Sequence, residues 1–150
     1  MTITICSSVN FSPKIIEIKK ELEDLGHQVN IPYITQKIMD GEISFEEYIK
    51  TKEENGGDIL LRKPHAVDMI KRYFDLIKNS DAVLVLNMER EGVGNYIGGS
   101  VLMEMGFAYG FEKKIYLYNP ITLKSDRMHY LDEILDTNPI VIEGDLSKIK

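Results

Sequence analysis

The sequence predicts an α/β fold, a single doubly wound parallel sheet of five strands in the order 2-1-3-4-5 with helices on both faces. Three observations predict it. Short β-rich runs alternate with amphipathic stretches along the whole chain, the pattern of helices packed on a parallel sheet. The clearest strand, Ala82–Asn87, begins with five apolar residues in succession, as expected when both sheet faces are covered. The composition is that of one domain, with 150 residues, 43% hydrophobic, 28% charged and a single cysteine. A chain this long buries roughly 70% of its unfolded surface, so a core forms without disulfide or metal.

Each element has its own signal. Thr2–Cys6 (TITIC) is apolar and β-branched and reads as a buried first strand. Ser12-Pro13 opens a helix, with Ser12 as N-cap and Pro13 at the first helical position. Ile15, Ile18, Leu22 and Leu25 make its apolar stripe, and Gly26 closes it. Gln28–Pro32 is a short second strand. From Tyr33 to Gly57 the connection is long for a compact domain. Ser44 and Glu47 form a capping box there, with Phe45, Tyr48 and Ile49 on the apolar side of the helix and Asn55-Gly56-Gly57 ending it. This segment, about 33–57, reads as a helical insertion over one end of the sheet, within one domain spanning 1–150. A second main helix runs from about Pro64 to Lys78, with Ala66, Ile70, Tyr73 and Ile77 at helical spacing. Asn79-Ser80-Asp81 is a turn. After the Ala82–Asn87 strand, Gly92–Gly99 is a glycine-rich loop leading into a helix from about Ser100 to Phe111. Lys114–Tyr118 is a fourth strand, Met128–Asp136 a short helix and Pro139–Ile142 a fifth strand. Five strands so arranged suggest a flavodoxin-like topology.

Charge and cysteine usage exclude several classes. The net charge of −6 argues against a nucleic-acid module, which shows a basic face. It leaves room for a small anionic ligand held by backbone N–H groups. One cysteine supports neither a disulfide framework nor a Cys-rich zinc site. No run approaches the roughly 18 apolar residues of a membrane span, and the N-terminus lacks signal-peptide features. The expectation is a cytoplasmic protein with no membrane or nucleic-acid partner, no metal and no redox cofactor.

In an open parallel sheet, ligands bind beyond the carboxyl ends of the strands, near the switch point of strand order. Ser7, Ser8 and Asn10 follow strand one. Asn87 ends strand three, and Asn95, Tyr96, Gly98, Gly99 and Ser100 lie in the loop beyond it. Glu104 follows one turn into the next helix. This rim is rich in hydroxyls, amides and glycine and poor in Lys and Arg, which suits a nucleoside-like ligand. A phosphate could rest near Ser100 at the helix N-terminus. Plainer readings stand beside these. Gly98-Gly99 reads equally as a tight loop, and it matches neither a dinucleotide nor a P-loop fingerprint. Ser7 and Ser8 read equally as caps. His65 and His129 read as surface or capping residues, and Cys6 as an inert core thiol. Glu104 sits among Leu102, Met103, Met105, Gly106 and Ala108, a segment that reads as largely buried. A buried carboxylate is costly without partners, which marks Glu104 as a candidate for chemistry.

The runs Asp81–Asn87, Asn95-Tyr96-Ile97-Gly98-Gly99-Ser100, Leu102–Tyr109 and Lys113–Pro120 resemble the nucleoside 2-deoxyribosyltransferase-like superfamily, and most nearly its small uncharacterised bacterial and archaeal members. That group includes 2'-deoxynucleoside 5'-monophosphate N-glycosidases. The likeness covers the first strand with its Cys-Ser-Ser loop, then about Lys63 to Pro120. The resemblance implies that Glu104, in the Glu-x-Gly-x-Ala motif, is the nucleophile that attacks the anomeric carbon and displaces the base. It implies a homodimer or larger assembly, for which Phe45, Tyr48, Ile49 and Tyr96 are contact candidates. It also exposes two departures. The family carries a tyrosine on strand one where this chain has Thr4. It carries an aspartate on the helix before strand three where this chain has Tyr73, and Asp75 lies about 200° round that helix. Tyr73 or His65 would then assist the leaving base. Ser7, Ser8, Asn10 and Ser100 would bind sugar or phosphate, with Asn87, Asn95, Gly98 and Gly99 completing the lining.

The function expected is cleavage or exchange of the N-glycosidic bond of a (deoxy)nucleoside or nucleotide. The alternative is a nucleotide- or nucleoside-binding sensor or regulatory module that kept the pocket and lost catalysis. A weaker third reading is a structural interaction module with Glu104 in an internal hydrogen-bond network.

Overall fold

The computed structural model of the chain describes residues 1–54, 68–123 and 128–150. The apolar, β-branched runs pair into one five-stranded sheet, from β1 (Thr2–Cys6), β2 (Gln28–Asn30), β3 (Ala82–Val85), β4 (Lys114–Leu117) and β5 (Ile140–Val141). Its order is β2-β1-β3-β4-β5, and every pairing is parallel. β1 is central enough to pair on both sides, with Ile3 opposite Val29 of β2 and opposite Ala82 of β3. The expected sheet and order are both present.

Period-two alternation along β1 sends its side chains to two separate cores. Ile3 and Ile5 pack with Ile15, Ile18 and Leu22 of α1 (Ser12–Asp24) on one face. Thr4 and Cys6 face the other way, and Cys6 packs with Tyr73 and Ile77 of α4 (Met69–Lys78) and with Val101, Met105 and Ala108 of α5 (Gly99–Gly110). Ile134 of the short α6 (Leu131–Asp136) joins that second core. Helices therefore cover both faces.

The local signals differ from expectation in several places. Ser12 lies inside α1 and Phe11 is the N-cap. The Ser12 hydroxyl turns back to donate to the Val9 carbonyl at 2.6 Å and meets Thr35 Oγ1 at 2.8 Å, because a 3-10 turn at Val9–Phe11 precedes the helix. The segment after β2 holds two helices, α2 (Tyr33–Met39) and α3 (Phe45–Glu54). The capping box of α3 is formed in both directions. Glu47 N–H donates to Ser44 Oγ at 3.0 Å, and Ser44 N–H donates to Glu47 Oε2 at 3.1 Å. The Asn55-Gly56-Gly57 stop lies outside the described residues, as do Pro64 and Ala66. The start of α4 is set by Asp68, whose side chain accepts from Lys71 N–H at 2.8 Å. Ile70, expected in the core stripe of α4, is 58% exposed. It falls in the first turn, ahead of the point where the helix meets the sheet. The α5 segment is buried only along Val101, Met105 and Ala108, and leaves Met103 and Tyr109 exposed. Among the described residues no helix is long and apolar enough to cross a membrane.

Candidate active site

A cavity of about 420 Å³ opens at the carboxyl end of the sheet, in the size range of small-molecule sites. It lies where the chain leaves β1 and β3 in opposite directions, the switch point of a doubly wound sheet. Ser7 and Ser8 enter from the loop after β1, Pro32 from beyond β2, and Leu86 and Arg90 from beyond β3. Gly98, Gly99, Ser100 and Glu104 come from the start of α5, Tyr73 from α4, and Tyr48 and Lys52 from α3.

Glu104 is the chemical focus. It sits one turn inside α5, which points its side chain back toward the helix N-terminus and into the cavity floor. The residue as a whole is half-buried, but its Oε2 is buried with no hydrogen-bond partner. Burial pushes its carboxyl up to about 8, and the neighbouring Cys6 thiol opposes that rise. Desolvation penalises the charged form and dominates the shift. Cys6 is wholly buried at the end of β1. Its thiol is pushed well above the usual range, first by burial and then by the Glu104 charge. Tyr73 is also buried, and its hydroxyl donates to the Ile5 carbonyl at 3.1 Å. Burial, then the negative charge of Glu104, holds this phenol well above its ordinary value. Cys6, Tyr73 and Glu104 thus form one compact titratable cluster.

The two serines of the β1 loop line the cavity while serving the fold. Ser7 Oγ donates to the Leu86 carbonyl at 3.2 Å, and Ser8 Oγ accepts from Asn10 N–H at 3.3 Å to cap the 3-10 turn. The α5 N-terminus has Gly98 as N-cap in extended conformation, with no side-chain cap. A Cβ on Gly98 would stand 3.3 Å from Tyr96 Cε1. The bare glycine therefore lets the Tyr96 ring lie across the start of the helix.

Three sequence-predicted residues lie outside this lining. Asn87 is fully buried and works as a clamp. Its Nδ2 donates to Asn119 O at 2.8 Å and its Oδ1 accepts from Asn119 N–H at 2.8 Å. Asn95 takes a left-handed backbone, with φ of 53°, in the loop before α5. Asn10 touches the site only through Lys52, whose Nζ donates to its Oδ1 at 3.0 Å. His65 lies outside the described residues.

Sequence reasoning missed Lys52 and Arg90, the cations that line the cavity among the described residues. Arg90 is fixed by a tight antiparallel bridge to Val93 across Glu91-Gly92, both with positive φ, the geometry of a two-residue hairpin turn. Its guanidinium lies 5.8 Å from the Tyr96 ring centroid. The Glu-Gly pair flanked by Arg90 and Val93 was the available signal. Lys52 arrives from α3, with its Nζ 5.6 Å from the ring centroid of Tyr48, and only tertiary packing brings it to the strand ends. Tyr96 lines the cavity from the rim loop beyond β3.

No protein-family model and no curated protein matches the chain. Among solved structures it is similar to the Clostridium botulinum CMP N-glycosidase BcmB, with 14% identity and a TM-score of 0.48 over 94% of this chain and 85% of that one.

Proposed function

We propose that this protein cleaves or exchanges the N-glycosidic bond of a nucleoside or nucleotide, with Glu104 as nucleophile. The observation that carries this reading is the Glu104 carboxyl on the cavity floor, with one oxygen buried and unpartnered. Structural carboxylates spend their acceptors on nearby donors. One held bare at the floor of a cavity keeps a lone pair for an incoming carbon. In the reaction, a Glu104 oxygen bonds to the anomeric carbon as the carbon–nitrogen bond breaks. The bonding pair leaves with the base, which takes a proton from water. Water or a second base then attacks the same carbon and frees Glu104. The negative charge of Glu104 stabilises the cationic sugar, and the covalent ester divides one hard step into two. Ser7, Ser8 and Ser100 line the same cavity and would hold sugar or phosphate oxygens, and the first N–H groups of α5 favour negative charge.

A second reading, a nucleotide-binding module without turnover, is favoured by two hydroxyls already committed to the fold. Thr4 Oγ1 meets Ser80 Oγ at 2.7 Å and accepts from Asn30 Nδ2 at 3.1 Å, and Tyr73 is bonded to Ile5. Neither is left free to serve Glu104 directly.

The test is a panel of deoxynucleosides, their 5'-monophosphates and the ribo-equivalents, with and without a free acceptor base, followed by chromatography of released or exchanged base. Turnover that Glu104→Gln abolishes is expected. Turnover unchanged in that variant would overturn the role of Glu104. Thermal stabilisation by a panel member without product would move the assignment to the binding module.

A further inference from the structure

We propose that Arg90 and Lys52 make this cavity selective for a ligand bearing a phosphate monoester, so that a nucleoside monophosphate is taken and the free nucleoside is a poor substitute. This rests on the reading of the cavity as a nucleoside or nucleotide site, and narrows it to one class. The two cations come from separate parts of the chain. Lys52 arrives on α3, in the segment after β2, and Arg90 in the loop after β3. In the sheet, β1 lies between those two strands. Both cations meet the cavity that Ser7 and Ser8 line from the end of β1.

Each cation is held against an aromatic ring. Arg90 opens the tight turn, where Arg90 N–H donates to Val93 O and Val93 N–H to Arg90 O, both at 2.9 Å. Gly92 N–H donates to Glu89 Oε1 at 2.9 Å, and Tyr96 N–H closes the loop onto Met88 O at 2.8 Å. That closure sets the guanidinium 5.8 Å from the Tyr96 ring centroid. The Glu91 carboxylate stands 3.7 Å from Arg90 Nε, too long for a hydrogen bond. A guanidinium carries its donors in a planar fork that matches phosphate oxygens. Lys52 Nζ donates to Asn10 Oδ1 at 3.0 Å and lies 5.6 Å from the Tyr48 ring centroid. Between them the serines differ. Ser7 Oγ gives its proton to Leu86 O, whereas Ser8 Oγ accepts from Asn10 N–H and keeps its own proton to donate.

Charge decides the class of ligand. Among the described residues of the lining, Arg90 and Lys52 are the cations and Glu104 the one carboxyl, in a chain of net charge −6. A phosphate monoester carries a charge of about −1.5 to −2 at neutral pH, with three acceptor oxygens. Two cations match that charge. A free nucleoside is neutral, and seating it would desolvate both cations with no opposite charge to offset the cost. A longer phosphate chain carries more charge than these two cations balance.

The test is calorimetric titration of the Glu104→Gln protein, in which the ligand is not expected to be consumed. Deoxynucleoside and ribonucleoside 5'-monophosphates are compared with the matching nucleosides. For at least one base the monophosphate is expected to bind about 10- to 100-fold tighter than its nucleoside, the span of hydrogen bonds to charged groups. Adding Arg90→Met is expected to erase most of that ratio, and Arg90→Lys to restore part of it. Equal binding within every pair, no binding of any monophosphate, or a ratio unchanged in folded Arg90→Met overturns the proposal. A second measurement needs no change at Arg90. The ratio is expected to shrink as salt is raised from about 0.05 M to about 0.5 M, and a ratio indifferent to salt overturns the proposal. Base release from free nucleosides as fast as from monophosphates would sink the phosphate grip and keep the chemistry of Glu104. Phosphate-dependent binding with no base release by the unmodified protein would do the reverse.

Discussion

A carboxyl group moved from water to an apolar cavity floor keeps its proton far above the usual carboxylate range. For Glu104 the folded value is about 8 against 4.5 in the free residue. Between those values the folded protein holds a proton that the unfolded chain has released. The contribution is therefore fully present below pH 4.5, falls as pH rises, and is lost through about pH 8. The slope across that window is about 1.4 kcal/mol per pH unit. Urea unfolding at a series of pH values is expected to show this decline, and Glu104→Gln to flatten it. The same ionisation sets the direction of the activity profile. A nucleophile must be ionised, so kcat/KM is expected to rise with pH and level off above about 8. A profile that falls over this range would make Glu104 a proton donor instead. At this scale the sequence was partly legible. A lone acidic residue in an apolar helical segment pointed to Glu104. The role of Asn87 was not legible, because an amide in a rim loop looks the same whether it faces a ligand or a backbone carbonyl.

α3 shows how one local device serves the site. Its first turn depends on the reciprocal Ser44–Glu47 pair, and Tyr48 and Lys52 ride on the same helix into the cavity. Ser44→Ala is expected to cost about 1 kcal/mol, read as a lower urea midpoint, and to raise KM with kcat little changed. A loss of stability with unmoved KM would separate the cap from the cavity. The capping box was legible because its two side chains lie within one turn. α2 was not, since it begins at Pro32 with no side-chain cap and its buried Ile34 and Thr35 look like a continuation of the preceding strand. The strands were legible for the opposite reason. Runs such as Ala82–Val85 have no polar face to present, and only a sheet covered on both sides accommodates them.

Across the whole molecule, the Asn87 clamp ties the end of β3 to the chain beyond β4 through Asn119 and Pro120. Asn87→Ala leaves the half-buried Asn119 N–H and the Asn119 and Pro120 carbonyls without that partner, at a cost of about 2 kcal/mol or more. The expected loss in Tm is about 4–8 °C for a chain of this size, measured by calorimetry. A loss below 1 °C would show that water replaces the clamp. The topology was legible because alternation and strand count leave few arrangements, whereas Lys52 and Arg90 reach one cavity only through long-range packing that no local pattern records.

The parallel order has a kinetic consequence. β1 pairs with β3 at Ile3 and Ala82, far apart in the chain, and the cavity draws on segments from Ser7 to Glu104. Such non-local pairings carry a large loop-closure cost before they repay it, so they form late and together. No shorter or half-formed piece of the chain can therefore present the Glu104 pocket, and the competent site comes into being in the same step as the native sheet.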